Sequence, residues 1–191
     1  ANVATARFYD ANKLPILYRV HEGPGEEKLE GLRKFLGELG LDLGGGLKPT
    51  PVHYQQLLLQ IKDREDANVI QTMLLRSLSQ AVYQPENEGH FGLHYPAYAH
   101  FTSPIRRYPD LTIHRQLTRW KRTGKASYDE TELMFLGEHC SGMERRAALA
   151  ERDLVKVKLL EFMSKQLGEH KMAIITGVAE YGFFAQIVDL P

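Results

Sequence analysis

The stretch that organises this chain runs from Tyr98 to Leu111 and reads Tyr-Ala-His-Phe-Thr-Ser-Pro-Ile-Arg-Arg-Tyr-Pro-Asp-Leu. Ser103 followed by Pro104 is typical of a helix N-cap with proline at the first helical position. This pattern predicts a helix whose first turn carries two arginines. Backbone N–H groups at a helix start attract anions, and guanidinium groups bind phosphate through paired hydrogen bonds. The stretch therefore predicts either a phosphate site or a surface helix whose arginines are hydrated or paired with carboxylates.

The side chains around the two arginines leave the same alternatives open. Tyr98, His100 and Tyr108 flank them. Rings beside a basic patch can stack on nucleic-acid bases, but such rings also pack around buried turns. Thr102 offers a hydroxyl that can bind phosphate. Asp110 is a candidate metal ligand, a second N-cap or the partner of an arginine.

Charge is distributed unevenly along the chain. The 191 residues include 24 basic and 24 acidic side chains, so the net charge is zero. Between residues 98 and 125, however, Asp110 is the only acid. The basic residues of that segment are Arg106, Arg107, Arg115, Arg119, Lys121, Arg122 and Lys125. A local basic segment of this kind favours an anionic partner, which the total charge alone does not indicate.

Composition indicates a folded protein without disulfides. Hydrophobic residues make up 43% and charged residues 25% of the chain, as in ordinary folded domains. The single cysteine, Cys140, excludes an internal disulfide framework and fits a reducing compartment. The sequence has no apolar run of membrane-spanning length and no signal-peptide pattern. We therefore expect a cytoplasmic protein with no membrane partner.

Hydrophobic periodicity predicts an α+β fold in which helices dominate and strands are short. A strand is expected over 16–20, and a hairpin over 171–180 and 183–188. Residues 90–94 are predicted to be extended, and Ser127 with Glu130 has the form of a capping box. The predicted helices cover 1–12, 29–39, 51–61, 66–78, 111–121 and 130–167. The apolar stripe expected on the last of these consists of Leu133, Leu136, Cys140, Met143, Ala147, Leu154, Val157 and Phe162.

The switch from helical to strand periodicity predicts a domain boundary near residue 168, so that the domains are 1–168 and 169–191. In the final hairpin, Tyr181, Phe183 and Phe184 are candidates for a base-stacking platform. Because neighbouring strand residues point to opposite faces, one of the two phenylalanines is expected to point inward. The eight histidines show no zinc-binding spacing, so we predict no metal site within this chain.

Several motifs, taken together, resemble the ribonuclease II / ribonuclease R family of processive exoribonucleases, which degrade RNA from its 3′ end. The segments that carry the resemblance are 90–93, 98–111 and 114–115, with 1–4, 17–21, 144–146 and 152–153 as agreeing flanks. Their form is nearer to the bacterial ribonuclease R branch. The resemblance implies that residues 1–168 are the mostly helical C-terminal half of an RNB-type catalytic domain. Residues 169–191 would then begin an RNA-binding OB-fold β-barrel.

The resemblance also implies a chemistry. In this family an aspartate cluster holds magnesium ions, and water attacks the last phosphodiester by a two-metal mechanism. The family arginine that matches Arg106 contacts the scissile phosphate and offsets its charge in the transition state. Glu151 falls where ribonuclease II has a functionally implicated glutamate. The side chains expected to contact RNA are Tyr98, His100, Thr102, Ser103, Arg107, Tyr181 and Phe183.

No part of the sequence matches the family's aspartate cluster or the tyrosine that stacks on the terminal base. We therefore expect an internal piece of a longer protein, which binds the 3′ end of single-stranded RNA as a monomer together with the N-terminal remainder of its polypeptide. Alone it should not hydrolyse RNA. Two alternatives stay open: an inactive RNA-binding or regulatory protein on the same scaffold, and a helical protein-interaction module.

Overall fold

The computed structural model describes residues 1–188 and confirms the α+β class. The chain divides into two compact units, Ala1–Glu144 and Arg145–Pro191. The sequence predicts a domain boundary near residue 168. The division into compact units does not test where one domain ends and the next begins, so this boundary stays a prediction. As far as the structure describes them, none of the helices has the length and continuous hydropathy that a membrane crossing requires.

The helices and strands follow in mixed order. The helices are α1 (Asn2–Ala11), α2 (Glu26–Glu38), α3 (Pro51–Gln60), α4 (Ala67–Ser77), α5 (Tyr108–Thr123) and α6 (Glu130–Met163). The strands are β1 (Tyr18–Val20), β2 (Val82–Gln84), β3 (Ala173–Ala179) and β4 (Gly182–Ile187). Short 3-10 helices cover Phe91–Leu93 and Ser164–Gln166.

Helices α2, α3 and α4 share one hydrophobic core. They form where predicted because leucine and isoleucine side chains recur at helical spacing. Thr50 begins α3 as expected, and its backbone N–H donates to Nδ1 of His53 at 2.9 Å. The buried members of this core are Leu29, Leu32, Leu36, Leu43, Tyr54, Leu57, Ile61, Ile70 and Leu74.

A second core lies between α1, β1 and α5. Ala6, Ile16 and Ile113 are almost fully buried there, and the Tyr9 hydroxyl donates to the Ile113 carbonyl at 3.1 Å. Strand β1 pairs with β2 in antiparallel register. On its other side, the N–H of Arg19 donates to the Tyr98 carbonyl at 2.8 Å. The stretch 98–111 is thereby attached to the strand pair.

The start of α6 packs against β2 through a close backbone approach. The N–H of Tyr83 donates to Ser141 Oγ at 2.9 Å, and that hydroxyl donates to the Gly137 carbonyl at 2.8 Å. Leu17 and Leu133 are almost fully buried beside this contact. A glycine at position 137 lets the helix approach the Tyr83 backbone, since a Cβ there would collide with the Tyr83 carbonyl oxygen.

Three local predictions are wrong. No helix begins at Pro104: residues 104–106 form a turn, Arg107 is extended (φ −126°, ψ 117°), and α5 starts at Tyr108. The segment 90–94 is not extended, because the N–H of Leu93 donates back to His90 Nδ1 and closes a 3-10 turn. The capping box is formed by Asp129 and Glu132, whose side chains accept from each other's backbone N–H at 2.8 and 2.9 Å.

The predicted apolar stripe of α6 is only partly buried. Leu133 and Cys140 are buried, and Leu136 packs against them. Met143 is about half exposed, and Ala147, Leu154, Val157 and Phe162 are exposed. Periodicity identifies the helix but cannot tell which part of its apolar face has a neighbour.

The second unit contains the predicted hairpin. β3 and β4 are antiparallel, with an irregularity between Ile175 and Gly177. Phe183 and Phe184 are both more than half exposed, so the expectation that one points inward is wrong for the described residues: no second layer covers the hairpin there. The prediction that this hairpin starts an OB-fold barrel extends to residues 189–191, which lie outside the described residues.

We predict opposite effects for two glycine substitutions in α6. Gly137→Ala should lower the free energy of unfolding by about 1–3 kcal/mol, because the new methyl group meets the Tyr83 backbone and Leu17. Gly142→Ala is the matched control, since no atom lies within 4 Å of its Cβ position. It should raise stability by about 0.5–1 kcal/mol through helix propensity. Urea unfolding of both variants measures this, and equal effects would contradict the close approach.

Candidate functional site

A buried carboxylate holds the turn that carries the two arginines. Asp110 is fully buried, and its Oδ1 accepts from the Ser103 N–H at 2.7 Å and from Arg107 Nη2 at 2.8 Å. The Ser103 carbonyl in turn accepts from the N–H groups of Arg106 and Arg107 at 3.2 and 3.0 Å. Of the three roles considered for Asp110, the arginine partner is the one observed. The turn is thereby fixed to the first turn of α5.

The two adjacent arginines have different environments. Arg107 is half-buried and forms an ion pair with Asp110. Arg106 is exposed, and none of the ion pairs among the described residues includes it. Arg106 borders a cleft of about 630 Å³. The residues lining this cleft are Tyr83, Arg106, Arg107, Tyr108, Pro109, Leu136, His139, Cys140, Met143 and Glu144.

An ion pair between Arg19 and Glu144 adjoins the cleft, whose lining includes Glu144 and Tyr83. Both terminal guanidinium nitrogens of Arg19 donate to the Glu144 carboxylate: Nη1 to Oε2 at 2.6 Å and Nη2 to Oε1 at 3.2 Å. The same guanidinium lies 4.5 Å from the centre of the Tyr83 ring. A planar guanidinium can form a bidentate pair and a cation–π contact at once. Arg19 therefore links β1, β2 and α6 at the edge of the cleft.

A row of rings continues from Tyr83 away from the cleft. The Tyr83 hydroxyl and His100 Nδ1 are 2.9 Å apart. The His100 ring contacts Tyr98 edge to face at 5.7 Å, and Tyr98 stacks on Tyr95 at 6.1 Å. His90 contacts the same Tyr98 ring at 5.3 Å. Two sequence-predicted residues, Tyr98 and His100, are therefore placed together, but inside a packed row rather than on an open surface.

The environment of this row keeps its imidazoles neutral. Burial, with smaller contributions from neighbouring cations, lowers the pKa of His100 and of His90 to about 4. Arg107, Arg19 and His90 oppose a charge on His100, whereas Asp110 favours it. Burial also raises the pKa of Tyr83 to about 12. At neutral pH the Tyr83–His100 contact is a hydrogen bond between uncharged groups.

The remaining predicted residues lie in different places. Thr102 is exposed beside the turn, and Ser103 contributes backbone groups to it rather than a side-chain cap. Glu151 is exposed on α6, and Tyr181 is exposed in the final hairpin. Both belong to the second unit, as does Phe183. Tyr181 makes an edge-to-face contact with Phe184 at 6.3 Å. The functional roles assigned to these residues stay predictions.

The described residues do not suit the magnesium ions that the family resemblance implies. They contain no cluster of three or more His, Cys, Asp or Glu side chains able to hold a metal. Oδ2 of Asp110 has no hydrogen-bond partner, but Oδ1 is already bound to Ser103 and Arg107. Glu144 is engaged by Arg19. We therefore derive no reaction step through a metal from this chain.

Sequence patterns missed part of the site. Tyr83, Arg19 and the pairing partner Glu144 were not among the candidates, although Arg19 and Glu144 lie in segments that resemble the family. The two residues are far apart in sequence, and no local pattern links them. The Asn2 side chain was missed for the same reason: it donates to the Tyr98 hydroxyl at 2.9 Å and accepts from the Phe101 N–H at 3.1 Å.

Removing the Asp110 carboxylate should destabilise the turn strongly. We predict that Asp110→Ala lowers the free energy of unfolding by about 3 kcal/mol, because Arg107 is left without its buried counter-charge. Asp110→Asn should cost less, since an amide oxygen can still accept both hydrogen bonds. Asp63→Ala is the control: Asp63 is exposed, so the change should stay within about 0.5 kcal/mol. Equal denaturation curves for Asp110→Ala and the control would contradict the arrangement.

The neutral histidines should make stability depend on pH. Their folded-state pKa lies below the unfolded value near 6.5, so between about pH 6.5 and 4 the unfolded chain binds more protons and stability falls as the pH falls. Near pH 5, His100→Gln should take up about one proton fewer on unfolding than the wild type. His170→Gln, which alters an exposed ring, serves as the control. An unchanged pH slope in His100→Gln would show that His100 is not buried as described.

Comparison with known proteins identifies relatives along the whole chain. A model described as the RNB domain matches residues 1–123. Ribonuclease R of Vibrio cholerae is 48% identical over 202 aligned positions, which cover 100% of this chain and 25% of the relative. The chain thus spans about a quarter of the length of such curated relatives.

Solved structures agree with the sequence relatives. Mycoplasma genitalium RNase R in complex with ribose methylated single-stranded RNA superposes with a TM-score of 0.88 at 29% identity, covering 99% of this chain and 31% of that one. A yeast pseudonuclease superposes with a TM-score of 0.80 at 26% identity, covering 97% and 24%. Because the domain model matches more than half of its residues, this chain belongs to the RNB domain family.

Proposed function

We propose that this chain is part of a 3′-to-5′ exoribonuclease of the ribonuclease R type, which hydrolyses single-stranded RNA to nucleoside monophosphates. The observation that carries the proposal is the difference in ion pairing between the two adjacent arginines. Asp110 neutralises Arg107 and anchors the turn, whereas Arg106, which joins no ion pair within residues 1–188, borders the cleft. Family membership, the RNase R relatives and the RNA-bound RNase R structure support the assignment.

The proposed role of Arg106 is electrostatic. When a phosphodiester is hydrolysed, negative charge develops on the phosphoryl oxygens, and a preorganised donor that meets this charge lowers the barrier. A guanidinium on a turn that is fixed by a buried ion pair needs little reorganisation to act in this way. Arg106 would thus bind the scissile phosphate, while Arg107 holds the turn and adds positive potential.

The chain would not work alone. Residues 1–188 provide a phosphate-binding cation but no metal-binding cluster, and the family's magnesium ions would be held by the N-terminal remainder of a longer polypeptide. We therefore propose that the isolated 191-residue chain has no hydrolytic activity. We also propose a monomeric, cytoplasmic protein. Its one cysteine is buried and unpaired, which fits a reducing compartment.

A second candidate is an inactive RNA-binding protein on the same scaffold. The structural similarity to a yeast pseudonuclease favours it, because the fold occurs there without nuclease function. Incubation of the full-length polypeptide with 3′-labelled single-stranded RNA separates the two. Release of labelled mononucleotide supports the enzyme, whereas binding without release supports the second candidate.

Arg106→Lys in the full-length polypeptide should lower turnover by about 100-fold, the cost of losing one preorganised transition-state donor. Lysine keeps the charge but not the paired hydrogen bonds, so the affinity for single-stranded RNA should change much less than turnover. Arg76→Lys, on the exposed side of α4, is the matched control and should leave both unchanged. Single-turnover kinetics with titrated RNA measure the two quantities. Wild-type turnover in Arg106→Lys would remove Arg106 from the proposed reaction.

A further inference from the structure

The outward face of α5 carries a second group of arginines, outside the cleft. Arg115, Arg119 and Arg122 are exposed on this face and border a shallow groove of about 610 Å³. The other residues that line it are Leu111, His114, Thr118 and Thr123. No acidic side chain lines the groove, so its charge is positive along its whole length.

The positive charges of these arginines are not neutralised within the described part of the chain. None of the ion pairs found within residues 1–188 includes them. The one carboxylate of α5, Asp110, is buried and bound to Arg107. A cation that is neither paired nor buried remains available to an anionic partner.

The arginines are also not needed to hold α5 in place. The buried side of the helix does so: Thr112, Ile113 and Gln116 are almost fully buried, and the Gln116 amide donates to the Pro15 carbonyl. Cations in the last turn of a helix complement its dipole, which accounts for Arg122. That effect is confined to the last turn, so it does not account for Arg115 or Arg119.

One side chain of the cleft, Tyr108, contacts an arginine of the groove. Tyr108 lines the cleft and is about half exposed. The Arg115 guanidinium lies 5.9 Å from the centre of the same ring. From Arg115 to Arg122 the helix rises about 10 Å, which corresponds to about three nucleotides of a stacked strand. A strand that occupies the cleft can therefore pass over Tyr108 onto the arginines.

We propose that Arg115, Arg119 and Arg122 form a track for the ribose–phosphate backbone of the RNA segment that lies outside the cleft, with Tyr108 as a stacking surface between the two. The inference rests on the proposed function, because it assumes that RNA occupies the cleft. The occupant follows from charge complementarity: regularly spaced guanidinium groups without intervening acids suit a polyanion. Backbone contacts of this kind carry no sequence preference.

The test compares two triple variants of the full-length polypeptide that remove the same charge. R115Q/R119Q/R122Q neutralises the track, and K34Q/K62Q/R76Q neutralises exposed cations on other parts of the first unit. Binding of single-stranded oligouridylates of about 4 to 30 nucleotides is measured between low and high salt. The long oligomers should bind the track variant at least about tenfold more weakly, with a slope of log K against log salt smaller by about 2.

The short oligomers should lose much less affinity, since they fill the cleft without reaching the three arginines. The control variant should bind all lengths as the wild type does. R115K/R119K/R122K keeps the charge and should restore long-RNA binding. If the Gln triple variant does not fold, the single variant Arg119→Gln should still lower the salt slope by about 0.7. Equal losses for track and control variants, or a loss independent of RNA length, would overturn the track.

The outcome is separable from the proposed function. Turnover lost in Arg106→Lys, together with unchanged long-RNA binding in the track variant, would retain the nuclease and reject the track. In that case the arginines would face another part of the protein or an acidic partner. Track-dependent binding with wild-type turnover in Arg106→Lys would retain an RNA-binding face and reject the role of Arg106.

Discussion

The structure of the site depends on one buried carboxylate. Asp110 is taken out of water completely, and its Oδ1 is bound to a backbone N–H and to the Arg107 guanidinium. A buried charge is tolerated only when it is paired and hydrogen-bonded, so Asp110 and Arg107 fix each other. This pairing leaves the neighbouring arginine, Arg106, as a cation without a partner in the described part of the chain. Two identical residues at adjacent positions thus have different uses, one structural and one open to a ligand.

The surroundings of this pair preserve the unequal charges. Arg19 is neutralised by Glu144 and packed on Tyr83. Burial keeps His90 and His100 uncharged at neutral pH by lowering each pKa to about 4. The rings therefore hold the stretch in place without adding charge beside Arg106. The positive potential of the cleft comes from a few guanidinium groups whose positions are set by packing.

Most of the helical framework could be predicted from the sequence, because apolar periodicity and caps are local signals. Helix α3 begins where Thr50 and Pro51 predict, and the α+β class is confirmed. The errors arise where a distant or unusual partner decides the local structure. The helix predicted from Ser103 is interrupted after one turn because Arg107 is extended, where its side chain and the Ser103 N–H both bind the Asp110 carboxylate. The contact between Arg19 and Glu144 joins distant segments, and local patterns carry no information about it.

The family resemblance located the important stretch, but it could not tell which groups in the stretch are free to bind. That distinction comes from the ion pairs and from burial. The most direct test is a double-mutant cycle in the full-length polypeptide, combining Arg106→Gln with RNA whose last phosphodiester is a neutral methylphosphonate. If Arg106 binds that phosphate, the two changes should be coupled by about 1–3 kcal/mol in binding free energy. The same cycle with Arg107→Gln should show a much smaller coupling. Additive effects for Arg106, or a larger coupling for Arg107, would contradict the division of roles between the two arginines.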